Sequence, residues 1–289
     1  MKLSKGEKAF SVCNHILLAL LALSTVYPFL YVLSASISSG DAVVTGRVMF
    51  WPVDLTFDAY KQVLKENSLW MAYANTIFYT LAGTVVNVVF TIFGAYPLSK
   101  KRLLGRGAIG FFIAFTMLFS AGMIPFYLNL RELGLINTRT AIIFAFAIST
   151  FNVVILRSFF QSIPEDLEEA AKVDGATDAQ VLWRIVLPLS KPSLAAISLF
   201  YAINRWNGYF WAMVILKDED KIPLQVLLNK LVVSMKPTED MMMTSDVAAF
   251  SQETVIYATI VLSVVPIVAV YPFIQKYFVK GVMIGSIKG

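Results

Sequence analysis

Six apolar stretches, each long enough to cross a bilayer as a helix, dominate this sequence: 12–37, 70–98, 108–130, 138–161, 190–216 and 254–279. About 20 apolar residues span a hydrocarbon core at the helical rise. Lipid offers no partner to an exposed backbone N–H or C=O, so a crossing segment must be a helix or belong to a closed barrel. The alternating pattern of a barrel is absent. The pattern predicts an all-α integral membrane protein with six transmembrane helices, forming a single transmembrane domain over residues 1–289. Composition agrees: 57% of residues are hydrophobic and 15% charged, against about 25% charged in a soluble domain. Mean hydropathy is +0.69.

The net charge is +5, but the basic residues lie in short clusters between apolar runs rather than in a stripe that would bind nucleic acid. One side of the predicted topology collects Lys2, Lys5 and Lys8, then Lys100, Lys101, Arg102 and Arg106, then Arg157, Lys172, Arg184 and Lys191, and finally Lys276, Lys280 and Lys288. The run Lys100 to Arg106 contains no compensating acid. Cationic loops stay inside, which places both termini in the cytoplasm. Ser34-Ala35-Ser36 imitates a leader-cleavage site, yet the run before it exceeds the roughly 7–15 residues of a leader's apolar region, so it reads as a first transmembrane helix. Cys13 and His15 are the sole Cys and His. They exclude an internal disulfide and a Cys/His metal cluster, and read as interfacial side chains.

Two outer segments differ in kind. Residues 38–69, with Trp51-Pro52 and the polar stretch Asp54 to Asn67, predict turns and a short helix. Residues 217–253 form a long segment containing Met241, Met242 and Met243, and a loop of that length is usually functional.

The inner segment 164–188 is the most specific. Pro164 suits a helix start, and Glu165, Asp166, Glu168 and Glu169 complement the dipole there. Gly175 suits the left-handed residue that ends a helix, and Thr177 with Gln180 has the spacing of a capping box that starts another. Pro188 then interrupts the pattern before the next span. Leu167, Ala170, Ala171, Val181, Leu182, Ile185 and Val186 give this hairpin an apolar side, for its own helices or for a partner.

Glu169-Ala170-Ala171, Asp174-Gly175-Ala176 and Leu187-Pro188 closely resemble the EAA signature of ABC importer permeases. The likeness extends over Asn75-Thr76, Gly94 to Ser99, Gly122 to Pro125, Leu133-Gly134-Leu135, Trp206-Asn207, Pro223-Leu224-Gln225 and the tail from Gly281 to Gly289. Within that family it is similar to the oligosaccharide, maltose-permease-like group. The resemblance implies the type I importer permease fold in a bacterial inner membrane, with a cytoplasmic coupling helix in 164–188. It assigns Glu169, Ala170, Ala171, Asp174 and Gly175 to docking on an ATPase. It also implies a second, related permease as heterodimer partner, two ATPase subunits and an extracytoplasmic solute-binding protein. That protein would meet 217–253, and the ATPases would meet the tail. No G-x-x-x-x-G-K-[ST] loop occurs in the sequence, so ATP and Mg belong to the partners and this chain carries no cofactor.

For a substrate pathway, Asn204, Asn207 and Trp211 share a helical face in the fifth span. Amides beside an aromatic ring suit a sugar, which needs directional hydrogen bonds and a stacking surface. Asn75, Tyr79, Gly83 and Asn87 fall on one face of the second span, and Asn75 and Tyr79 join the predicted pathway. Arg205 is a charge within a span, which normally faces a cavity or a partner. It departs from the neutral residues expected beside Trp206-Asn207 in the family. One reading has it attract a carboxylate-bearing sugar such as a uronate; the other has it in an ion pair or bonded to open carbonyls. An ion-coupled transporter would need acids inside the spans, and none lies well inside. A membrane enzyme would need a nucleophile–base or metal constellation, which the lone His15 does not supply.

Overall fold

The computed structural model describes residues 4–234 and 252–269, which hold helices and no strand. The chain divides into two compact units, Met1–Leu69 with Leu228–Ile267 and Trp70–Leu227 with Val268–Gly289.

In the first unit, α1 (Lys5–Ser36) begins at a capping box in which Ser4 and Glu7 satisfy each other's backbone amides. The cap starts the helix seven residues before the apolar run. None of its apolar window is buried among the described residues. Its C-terminal end is the exception. Ala35 packs with Ala42 and Val43 of α2 (Gly40–Val44) and with Val48, against Tyr31, Val53 and Tyr257. Ser34 donates to the Phe50 carbonyl at 2.9 Å, and Ser38 accepts from the Val53 amide at 3.0 Å. The Ser34-Ala35-Ser36 triplet is thus part of a packed core. The outer segment holds two short helices, α2 and α3 (Asp58–Lys65).

The second unit contains α4 (Asn67–Ser99) from Trp70 onward, then α5 (Arg106–Leu118), α6 (Met123–Glu132), α7 (Arg139–Phe144) and α8 (Thr150–Gln161). The hairpin helices α9 (Glu165–Val173) and α10 (Asp178–Leu189) follow, then α11 (Lys191–Asn207), α12 (Phe210–Ile215) and the start of α13 (Leu224–Ser234). The last described helix is α14 (Gln252–Ala269); residues 270–279 of the predicted sixth span lie outside the described residues.

Three of the predicted spans are broken rather than continuous. Segment 108–130 splits into α5 and α6, which meet at 113° across an extended Phe119 and a left-handed Gly122. Segment 190–216 splits at Gly208, where an added Cβ would stand 3.2 Å from the Asn204 carbonyl oxygen. Segment 138–161 splits over residues 145–149 without glycine or proline. By length and apolarity, α1, α4 and α14 each suffice to cross a membrane, and α5–α6 and α10–α11 form bent pairs.

Two apolar cores organise this unit. One joins Ile92, Ala95, Tyr96 and Leu98 of α4 to Val153, Leu156 and Phe160 of α8 and to Val181, Leu182, Val186 and Leu187 of α10. The other joins Tyr79 of α4 to Ala141, Ile142 and Ile143 of α7 and to Ala212 and Ile215 of α12.

Candidate functional site

The break between α7 and α8 opens onto a cavity of about 520 Å³, within the roughly 300–1,000 Å³ of small-molecule sites. Ala145, Phe146, Ile148 and Ser149 from the break line it, with Tyr79 and Asn87 of α4, and Tyr201, Asn204, Arg205 and Asn207 of α11. Tyr209, Phe210 and Trp211 complete an aromatic side. Trp211 packs edge-on against Phe126 at 4.7 Å and beside Phe146 at 5.8 Å between ring centroids, which fixes its orientation.

Among the described residues, Arg205 is the one ionised side chain in this lining, and its guanidinium reaches no carboxylate of those residues. Nε and Nη2 donate to Asn87 Oδ1 at 3.0 and 2.7 Å, and Nη2 also donates to the carbonyls of Ile143 and Phe146 at 2.8 and 3.0 Å. Nη1 donates to the Ile142 carbonyl. Of the two readings of Arg205, the structural one is present in its carbonyl form: open carbonyls hold the guanidinium, and no ion pair at Arg205 occurs among the described residues. Dipoles hydrogen-bond a charge without cancelling it.

The predicted pathway residues divide. Tyr79, Asn204, Arg205, Asn207 and Trp211 come together around the cavity. Asn75 does not line it. Its amide donates to the carbonyls of Asp220 and Ile222 at 2.8 and 3.1 Å, and its oxygen accepts from Arg139 at 3.2 Å. Tyr79 hydroxyl donates to the Lys221 carbonyl, and the Leu224 amide donates to Thr76, both at 2.8 Å. One end of α4 thus fastens the segment 220–224. Left-handed Asn137 holds the residues just before that segment, accepting from the Lys217 and Asp218 amides at 3.0 and 3.1 Å.

The hairpin forms as its sequence dictates. Pro164 precedes α9, Gly175 turns the chain at φ +82°, and Thr177 and Gln180 close a capping box at the start of α10. A π-helical turn over Leu182–Val186 and Pro188 bring α10 to an 82° bend into α11. The apolar side divides between the two helices. Val181, Leu182 and Val186 are buried in the chain's own core. In α9 nothing is buried: Leu167 and Val173 are 45% and 88% exposed, and Glu169 and Ala170 are also exposed. Ala171 is half-buried against the core, while Asp174 and Gly175 border an open concavity with Ala176, Gln180, Arg184 and Ile185.

The basic run after α4 is compensated in space, contrary to its appearance in the sequence. Lys100 pairs with Glu168, Lys101 with Glu165 at 2.9 Å, and Arg102 with Asp178, which Lys172 also approaches at 3.4 Å. Lys100 and Glu168 are 14% and 12% exposed, and the Lys100 ammonium sits 4.5 Å above the Tyr96 ring centroid. Arg102, hydrogen-bonded to Asp178, holds that carboxyl below its ordinary value, with Lys172 adding to the effect. Glu169 makes no ion pair among the described residues.

The chain has known relatives. The model for the binding-protein-dependent transport system inner membrane component matches residues 87–284. The chain belongs to that family. Two relatives from Bacillus subtilis (strain 168) are each 40% identical to the permease. The protein LplC aligns over 99% of this chain and 97% of its own length. The polygalacturonan/rhamnogalacturonan transport system permease protein YtcP aligns over 98% and 99%. Among solved structures, a bacterial ABC transporter involved in the import of the acidic polysaccharide alginate contains a chain 50% identical. That match has a TM-score of 0.89 and covers 96% of the permease and 99% of that chain. A second chain, from the alginate transporter in complex with a pentasaccharide-bound periplasmic protein, is 15% identical with a TM-score of 0.61 and shares the fold.

The sequence reading missed Phe146, Ser149, Tyr201 and the carbonyls of α7. No local signal marks the break that brings them to the cavity.

Proposed function

We propose that this permease is one membrane subunit of an ATP-driven, binding-protein-dependent importer of acidic oligosaccharides. The carrying observation is a sugar-sized cavity, lined by amides and aromatic rings, whose one ionised side chain among the described residues is an arginine with no carboxylate partner among them. A uronate-containing sugar brings the missing carboxylate. YtcP is named for polygalacturonan/rhamnogalacturonan transport and the solved transporter for import of the acidic polysaccharide alginate, which supports the same reading.

In this reading, residues 1–289 act as one permease domain with six spans and both termini in the cytoplasm. A second, related permease completes the translocation path, and two ATPase subunits bind ATP and Mg. The exposed side of α9, with Glu169 and Ala170 and the Asp174-Gly175 turn, docks on one ATPase. ATPase closure pushes the hairpin, and the rigid core between α10, α4 and α8 carries that displacement toward the cavity in alternating access. The segment 217–253 faces a solute-binding protein, and the tail from Gly281 meets the ATPases; residues 235–251 and that tail lie outside the described residues.

The test is ATPase stimulation in reconstituted full transporter by solute-binding protein loaded with a uronate oligosaccharide, compared with its carboxyl-methyl ester. Stimulation and uptake with the acid and little with the ester support the proposal. Equal uptake of the two would remove the acidic-substrate assignment.

A further inference from the structure

The break at 145–149 ends two helices in mid-chain, and a helix end leaves carbonyls or amides open. Both ends are closed by one neighbouring helix. Arg205 of α11 donates to the Ile142, Ile143 and Phe146 carbonyls at the C-terminal end of α7. One turn earlier on the same face, the Tyr201 hydroxyl accepts the Ser149 amide at 3.0 Å, at the start of α8. Each is backed from α4, also at i and i+4. Asn87 accepts from Arg205 and donates to the Phe146 carbonyl at 2.6 Å, and Thr91 shares a 2.6 Å hydrogen bond with Tyr201. Gly83, one turn before Asn87, supplies the clearance. A Cβ there would stand 2.8 Å from Arg205 Nε and 3.1 Å from Cδ and Cζ. Because several bonds hold that guanidinium, it has no free direction in which to move aside.

We infer that Tyr201 and Arg205 form a clasp that holds the α7–α8 break open beside the cavity, with Gly83 as its clearance, and that Arg205 is a positioning residue as well as the charge seen by substrate. The inference deepens the proposed function and rests on it for the identity of the cavity. A clasp explains why a segment without glycine or proline is unwound where irregular backbone is tolerated only against protein or a cavity. It also limits how Arg205 meets a ligand. Nε and Nη2 are occupied and Nη1 already serves Ile142, so a carboxylate receives the charge and one remaining Nη1 N–H rather than a two-pronged fork.

Arg205→Lys and Gly83→Ala separate positioning from charge. Lysine keeps the charge but concentrates its donors on one atom, and Gly83→Ala alters neither charge nor cavity lining. In reconstituted full transporter, each variant is expected to co-purify with its partners and to lose about tenfold or more in uptake rate, the scale of a lost charge-assisted hydrogen bond. Gly83→Ala is expected to cost nothing further in an Arg205→Met background, because its effect passes through Arg205. Uptake within twofold of wild type for Arg205→Lys, or an additive Gly83→Ala effect, would overturn the clasp. Should Gly83→Ala fail to assemble, Tyr201→Phe takes its place, with the same tenfold loss expected and wild-type uptake overturning the inference. A readout independent of transport is thiol labelling of Ala147→Cys in a Cys13→Ser background. Labelling should accelerate in both variants, and an unchanged rate would contradict the clasp. If wild type carries acid and ester alike, the acidic-substrate reading fails while the clasp is still tested by these rates.

Discussion

The hairpin and the cavity treat charge in opposite ways. At the hairpin, Lys100, Lys101 and Arg102 each meet an acid of α9 or α10. In the cavity, Arg205 meets carbonyls and an amide, with no acid among the described residues. Paired charges fix geometry and leave little field, which suits a part that transmits force. A charge held by dipoles fixes geometry and keeps its field, which suits a part that selects a ligand by sign. The two regions also differ in apolar packing. The α10 side of the hairpin is sealed into the chain's own core, whereas α9 leaves Leu167 and Val173 open to a partner.

Lesions in the two regions should therefore not look alike. Arg205→Met removes both charge and clasp and is expected to lower uptake of a uronate oligosaccharide about 100-fold. ATPase co-purification should remain intact; its loss would mean that the cavity and the hairpin are not separate devices. Phe160→Ala, beneath α10, is expected to destabilise the assembled permease by about 3–5 kcal/mol, read as a lowered unfolding temperature together with weakened ATPase retention. Glu168→Gln leaves the poorly exposed Lys100 without its partner. A loss of about 1.5–3 kcal/mol is expected, seen as reduced ATPase coupling at unchanged substrate preference. A changed preference would break the contrast.

The smallest effect concerns pH. The Asp178 carboxyl is held below its ordinary value by Arg102 and Lys172. A depressed carboxylate stabilises above its ordinary range and loses that contribution only as pH falls through the lowered value. Spin-label distances between α4 and α10 should stay constant between about pH 5 and 8 and lengthen only in stronger acid. A change near neutrality would assign the attachment to other groups.

What was legible in the sequence follows the same division. The hairpin is written locally, since Gly175, Thr177 with Gln180, and Pro188 act on their own neighbours. The fifth-span face of Asn204, Asn207 and Trp211 was legible because helical spacing alone brings those residues to one side. The break at 145–149 was not, because the groups that close it sit more than 50 residues away on α11. Asn75 misled for a related reason. Spacing places a polar residue on a face, but at Asn75 that face fastens segment 220–224, and it reaches the cavity only further along the helix, at Tyr79 and Asn87. Lys100, Lys101 and Arg102 looked uncompensated because their acids arrive from another part of the chain.

The central claim is that the unpaired charge of Arg205 sets the sign of the substrate, and Asn87→Asp tests it most directly. Aspartate keeps an acceptor for Nε and Nη2 but places a carboxylate against the guanidinium, cancelling the field while sparing most of the clasp. The measurement is the ratio of uptake of a uronate oligosaccharide to that of its methyl ester, in wild type and variant reconstituted with the same partners. The ratio is expected to favour the acid in wild type and to fall about tenfold or more in Asn87→Asp, the scale of one charge interaction. An unchanged ratio would contradict the account and move substrate selection out of this cavity.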